Sequence, residues 1–337
     1  MTTRHQAYRI AVAASVGLAL ELLRESYLPP LAPILAVQLL VGSSRPPAAR
    51  QAFAFVLSVA VVSLGMFWIT SSPHSFKGLY YLKITFVYLW IYFLCFNNKT
   101  APIGALALTV AVIVSAVVPA SEVTAAGIVA ELSCAAVSAV LVAHLAYLVV
   151  PSRRIADSLP ARPDAGSDGP SPDIFRRSVV ATAILVPLQA LLTFDDLAPI
   201  VALLTTATML RLADSKAASR YGWTFATGNA IGAIVASANV MLLAMHDEPT
   251  VLLTSVAAVS LLFSALLVRG ASWTAILLPG LIAYLTLFGL SLSPLPVADD
   301  VAVLDRVLTI VAASIYALAG LLLLGRWIAP RMPEART

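Results

Sequence analysis

Apolar runs, each near the ~20 residues that a membrane-spanning helix needs, recur from one end of this 337-residue chain to the other. The segments between them are short and carry most of the charge. Of all residues 60% are hydrophobic and 11% are charged, whereas a soluble domain of this size carries roughly a quarter charged. A surface so poor in charge cannot lie mostly in water, which excludes soluble α/β and all-β folds.

The pattern predicts helices over 7–23, 28–42, 52–70, 79–96, 102–118 and 124–150, and again over 175–192, 196–210, 219–244, 250–268, 272–291 and 304–327. Between the two sets lies a stretch, 151–174, rich in Pro, Asp, Ser and Gly, a composition that cannot bury a core and reads as a flexible cytoplasmic linker. At the N-terminus, Arg4 and Arg9 precede an apolar stretch from Ile10 to Leu20, which resembles a signal peptide. The run ends in Glu21, Arg24 and Glu25 without a small-x-small cleavage site, and a similar segment opens the second half, so a retained first helix is expected.

The 21 basic residues set the orientation. With a cytoplasmic N-terminus, all but Arg24, Lys77, Lys83 and Arg306 fall on the cytoplasmic side, as the positive-inside rule requires. The opposite loops are acidic: Glu122, Asp195, Asp196, Asp247, Glu248, Asp299 and Asp300. The basic residues are spread over short loops rather than clustered on one face, which argues against a nucleic-acid partner.

An internal repeat is also visible. Leu31-Ala32-Pro33-Ile34 recurs as Leu197-Ala198-Pro199-Ile200, and at the same offset Arg45 matches Arg211 and Arg50 matches Lys216. Six helices per half is an even number, so the halves share one topology and are expected to be related by a pseudo-twofold axis along the membrane normal. The expected fold is an all-α integral membrane protein of about 12 transmembrane helices in two parallel six-helix repeats, 1–150 and 175–337, with both termini cytoplasmic.

No Walker-type phosphate loop, no strand-linked G-x-G-x-x-G and no H-E-x-x-H is present. Neither an enzyme nor a bound cofactor or metal is expected. Cys95 and Cys134 both fall in apolar helices and read as small hydrophobic residues. The candidate pathway residues are the polar groups within the apolar runs. Glu131 lies about seven residues into its helix, roughly 10 Å deep at 1.5 Å per residue, where a charge faces a cavity or a partner. Lys83, at similar depth in the fourth helix, is the cation expected to neutralise it. His144 offers a proton relay or a hydrogen-bonded packing group. Helices two and eight are short and carry Pro29, Pro30, Pro33 and Pro199 near their outer ends, with Gln38, Thr205, Thr206 and Thr208 along them. Paired, proline-interrupted segments in matching positions of two repeats point to a substrate site, although proline is also simply tolerated in a first helical turn. Asn229 sits beside Gly228 and Gly232, a spacing that permits close helix contact, and lines either that contact or a pathway. Arg45, Arg50, Arg211 and Arg220 form an expected cytoplasmic basic vestibule for an anion, or act only as topology determinants.

These features together resemble the fusaric acid resistance and aromatic acid exporter superfamily. The resemblance rests on the two six-helix halves, the basic loop after helix two leading to Arg50, the run Arg220, Gly222, Gly228, Gly232, and Arg306 near the start of the last helix with Pro330 just past its end. Ala54 and Ser58 stand where the first half would carry glycines, and only a short linker separates the halves, as in a compact branch. The resemblance implies an inner-membrane secondary transporter of a Gram-negative bacterium. It would export aromatic or other small organic anions and work with a periplasmic adaptor of the membrane-fusion type. The alternative is a non-transporting scaffold of an envelope complex. The expected partners are the lipid bilayer, the anion and the adaptor, with self-association into a homo-oligomer left open.

Overall fold

The computed structural model describes residues 2–41, 46–71, 77–97, 100–117, 122–151, 172–192, 199–212, 218–245, 248–267, 271–293 and 303–325. They form twelve α-helices: α1 (Thr2–Leu23), α2 (Leu31–Val41), α3 (Ala49–Ser71), α4 (Lys77–Phe96), α5 (Ala101–Val117), α6 (Glu122–Val149), α7 (Pro172–Leu192), α8 (Pro199–Leu212), α9 (Ala218–Met245), α10 (Pro249–Leu267), α11 (Ala271–Ser291) and α12 (Val303–Gly325). Nearly all of the linker, and Arg45 with it, lies outside the described residues.

Seven helices (α1, α3, α4, α6, α7, α9 and α10) contain spans long and apolar enough to cross a membrane, and shorter apolar stretches lie in α2, α5, α11 and α12. The chain is a helical, multi-pass membrane protein. Its outward surfaces suit lipid. Phe53, Leu57, Val61, Leu64 and Trp68 stand exposed along one face of α3, while Val59, Ser63, Met66 and Thr70 are buried on the other. The alternation follows the 3.6-residue period of a helix with one side in contact with protein.

The shortest helices are α2 and α8, with 11 and 14 residues. At 1.5 Å per residue they reach only ~16 and ~21 Å, against a hydrocarbon core of about 30 Å. Proline sets their starts. A residue before proline is pushed out of the helical region, so α2 begins only after Pro29 and Pro30 rather than at residue 28. Pro33 and Pro199 are accommodated because first-turn positions have no intrahelical N–H bond to lose. Short helices suit an interior position: eight of the eleven α2 residues are buried.

Within the first half α1 packs on α2 and α6, α2 on α6, α3 on α5 and α6, and α4 on α5. The second half pairs α7 with α8 and α12, α8 with α12, α9 with α11 and α12, and α10 with α11. Adding six to each helix number converts each of these contacts of the first half into one of the second, whereas α5 on α6 and α8 on α9 have no counterpart of similar extent among the described residues. Between the halves, α1 packs on α10 and α4 on α7, and α2 on α11 and α5 on α8. Exchanging the halves turns the first contact of each couple into the second.

Specific polar ties hold α1 in place. Arg9, 4% exposed, donates from Nε to the carbonyl of Val150 at 2.9 Å and lies over the Tyr147 ring, 4.4 Å from its centroid. A guanidinium at the C-terminal end of α6 meets carbonyls that the helix itself cannot satisfy, and the negative end of its dipole. Gln6 Nε2 donates to the carbonyl of Leu40 at 2.6 Å, tying α1 to the end of α2.

Candidate functional site: a charged cluster at the end of α1

The last turn of α1 closes in a Schellman arrangement. The Ser26 N–H donates to the Glu21 carbonyl and the Glu25 N–H to the Leu22 carbonyl, both at 3.0 Å. Such a cap needs a left-handed residue between helix and loop, usually glycine; here it is Glu25, at φ 52. A side chain in that region costs on the order of 1–2 kcal/mol. The strained turn sets Glu21, Arg24 and Ser26 side by side against α6.

Across the gap stands Glu131, nine residues after the start of α6 at Glu122. Arg24 Nη2 lies 3.4 Å from Glu131 Oε2, and Arg24 Nη1 lies 3.0 Å from Glu21 Oε1 and donates to Ser138 Oγ at 3.2 Å. Ser26 Oγ donates to Glu131 Oε2 at 2.9 Å and accepts from the Leu28 N–H at 3.2 Å. One guanidinium thus bridges two carboxylates. Glu21 is fully buried, while the side chains of Arg24 and Glu131 are 31% and 15% exposed. The cation at Glu131 is therefore Arg24, from the helix directly packed on α6, and not Lys83 as the sequence suggested. Lys83 sits on α4, which packs on α5 and α7. Glu21 and Arg24 had a readable signal, an opposite-charge pair at i and i+3 ending an apolar run, but nothing in sequence ties that pair to a residue 107 positions away.

The other candidates do not join this cluster. His144 Nδ1 meets the Val140 carbonyl of its own helix at 2.8 Å, a contact that places the proton on Nδ1 and satisfies a packing role. Gln38 is exposed at the surface of α2. Asn229 is buried on α9, and its Nδ2 has no hydrogen-bond partner among the described residues. Thr205 is buried in α8, where its neighbour Thr206 donates to the Ala313 carbonyl at 3.4 Å. Of the four arginines expected to form a vestibule, Arg50 is exposed at the start of α3 and Arg211 is half-buried on α8. Arg45 and the side chain of Arg220 lie outside the described residues.

A second polar cluster crosses the boundary between the halves and was not singled out in the sequence. Ser115 Oγ, on α5, lies 2.9 Å from Tyr88 Oη of α4 and accepts from Gln189 Nε2 of α7 at 2.9 Å; all three residues are fully buried. Tyr80 donates to the Ser115 carbonyl at 2.7 Å. On one face of α4, Tyr80 and Tyr88 thus reach Ser115 of α5, while Tyr92 Oη donates across the boundary to the Ala207 carbonyl of α8 at 3.4 Å. Tyrosines in an apolar run read as membrane-interface residues, which hides this arrangement from a reading of periodicity alone.

The family described as "Protein of unknown function (DUF2955)" matches residues 6–146. That stretch begins in α1 and ends in α6, and it contains every charged member of the cluster: Glu21, Arg24 and Glu131. No curated protein and no solved structure matches the chain.

Proposed function

We propose that this chain is a secondary transporter of the bacterial inner membrane. It moves small organic anions, aromatic acids among them, outward along a pathway between two parallel six-helix repeats, and a periplasmic adaptor of the membrane-fusion type receives them. The observation that carries the reading is the recurrence of one packing scheme in both halves, with inter-half contacts that exchange into one another: α1 on α10 for α4 on α7, and α2 on α11 for α5 on α8. Two repeats joined in this way supply the pair of interchangeable interfaces on which alternating access works, with the site where they meet. Buried polar groups at the inter-half boundary, Tyr88, Ser115 and Gln189, are what lipid-facing helices do not need and what a polar cargo does. The short, enclosed helices α2 and α8 add to this, as does the resemblance to the fusaric acid resistance exporters.

Flux in proteoliposomes tests the reading. The purified chain, reconstituted with a panel of radiolabelled aromatic carboxylates inside, should release at least one of them several-fold faster than protein-free vesicles. Release at the protein-free rate for the whole panel, under both a proton and a sodium gradient, would leave the chain as a structural component of an envelope complex instead.

A further inference from the structure

The cluster at the end of α1 is unbalanced. Glu21 and Glu131 are two carboxylates sharing one guanidinium, Arg24. Glu131 keeps part of its surface exposed and receives the Ser26 hydroxyl on the same oxygen that Arg24 approaches. Glu21 is fully enclosed. Its Oε1 faces Arg24, and its Oε2 is buried with no hydrogen-bond partner among the described residues.

Among the described residues, the neighbouring elements supply no second positive charge. On α1 the nearest charged residues beyond Glu21 are Arg24 and the exposed Glu25, both in the closing turn. From α6 comes Glu131, with Cys134 one turn further on and exposed. The other two helices packed on α1, namely α2 (Leu31–Val41) and α10 (Pro249–Leu267), contain no titratable side chain at all. With both carboxylates ionised the group carries one uncompensated negative charge, and a bare carboxylate oxygen sits where water does not reach it. An enclosed charge of that kind is costly unless a counter-charge meets it.

We propose that this cluster is a binding site for one monovalent cation, a proton or a sodium ion, seated at Glu21 Oε2. Binding a proton makes one O–H bond at Oε2 and neutralises the carboxylate; binding sodium places the charge beside it. Either leaves Arg24 to pair with Glu131, and the group is neutral. Within the transporter reading, on which only its purpose rests, this is the coupling-ion site, and it lies on Glu21 rather than on Glu131.

Infrared difference spectroscopy of the full chain in nanodiscs tests the site without requiring flux. Spectra are recorded between high and low pH without sodium, and between zero and saturating sodium at fixed high pH. Once the bands of solvent-exposed carboxyl groups are set aside by their solvent-like frequencies, the expected result is a change at one enclosed carboxyl group per chain in one of the two arms: a protonated C=O stretch in the first, or a shifted carboxylate stretch in the second. The arm that responds names the ion. Glu21→Gln should abolish the change. Glu131→Gln, which leaves Glu21 and Arg24 as a balanced pair, should weaken cation uptake at least tenfold, and it serves as the test if Glu21→Gln does not fold. No carboxyl change in either arm, a change that survives Glu21→Gln, or unaltered uptake in Glu131→Gln would overturn the proposal. A carboxyl signal without anion flux would defeat the transporter reading alone, and flux without the signal would defeat the cation site alone.

Discussion

Replacing Arg24 with methionine should destabilise the folded protein by about 3 kcal/mol, the lower end of what removing one partner of a buried ion pair costs. The penalty comes from what is left behind. Glu21 is fully buried, and without the guanidinium at 3.0 Å its carboxylate has lost its one cation, while Glu131, 3.4 Å from the same guanidinium, adds a second negative charge nearby. The figure belongs at the lower end because Arg24 itself is 31% exposed, so solvent already screens part of the interaction. Equilibrium unfolding in mixed micelles reads the change. Adding Glu21→Gln to Arg24→Met should recover most of the loss, because the fully enclosed charge is gone and Glu131, the carboxylate that stays behind, keeps 15% of its side chain exposed and the Ser26 hydroxyl as a donor. A change of less than about 0.5 kcal/mol for Arg24→Met would mark the cluster as an ordinary surface ion pair.

The second large effect lies where α9 crosses α11. A side chain at Gly232 would run into the carbonyl oxygen of Gly280 and stand 3.0 Å from the Ala283 Cβ, and one at Gly228 would run into the carbonyl oxygen of Ile276. The obstacle is backbone on the facing helix, which cannot rotate away as a side chain can. Small residues at such crossings are what allow two helices to approach in lipid, where packing rather than hydrophobic burial holds them together. Gly232→Leu should therefore force the helices apart. Overpacking of a side-chain contact costs typically 1–3 kcal/mol, and here the clash with main chain and the lost Asn239 Nδ2 to Tyr284 Oη bond, 2.8 Å in the native protein, add to it. Expression as a folded, monodisperse protein should be lost. Gly65 is the control: a Cβ there meets nothing within 4 Å, so Gly65→Leu should leave yield and stability unchanged. Equal behaviour of the two variants would contradict the tight crossing.

The elements were legible because lipid-crossing helices announce themselves by length and loops by proline and charge. Every expected helix is present, with ends within three residues except that α1 starts at Thr2, five residues before the expected start, and the Gly228-x-x-x-Gly232 spacing correctly marked a close contact. The shortening of α2 was also written in the sequence, at Pro29 and Pro30, but the apolar run starts before them and masks it. The site was half legible. Glu131 stood out as a charge inside an apolar run, yet its partner could not be chosen from sequence. Helical periodicity relates residues within one helix, whereas pairing Glu131 with Arg24 depends on which helices are neighbours. Glu21 was visible only as part of a polar end to the first helix; its enclosure depends on the helices that pack on α1, namely α2, α6 and α10, which come from elsewhere in the chain. The Tyr88–Ser115–Gln189 cluster was hidden for the same reason, since each member alone is an unremarkable polar residue in an apolar stretch.

The central claim is that the two halves are parallel repeats, and the side of the membrane on which equivalent loops lie tests it most directly. His74, in the segment between α3 and α4, and His246, in the segment between α9 and α10, hold matching places in the expected repeats and lie outside the described residues. In a chain freed of its own cysteines by Cys95→Ser and Cys134→Ser, His74→Cys and His246→Cys are each exposed to a membrane-impermeant maleimide in intact spheroplasts and in inside-out vesicles. Parallel repeats predict that both positions are labelled in spheroplasts and protected in inside-out vesicles. Labelling of the two positions from opposite faces would show an inverted relation between the halves and contradict the account.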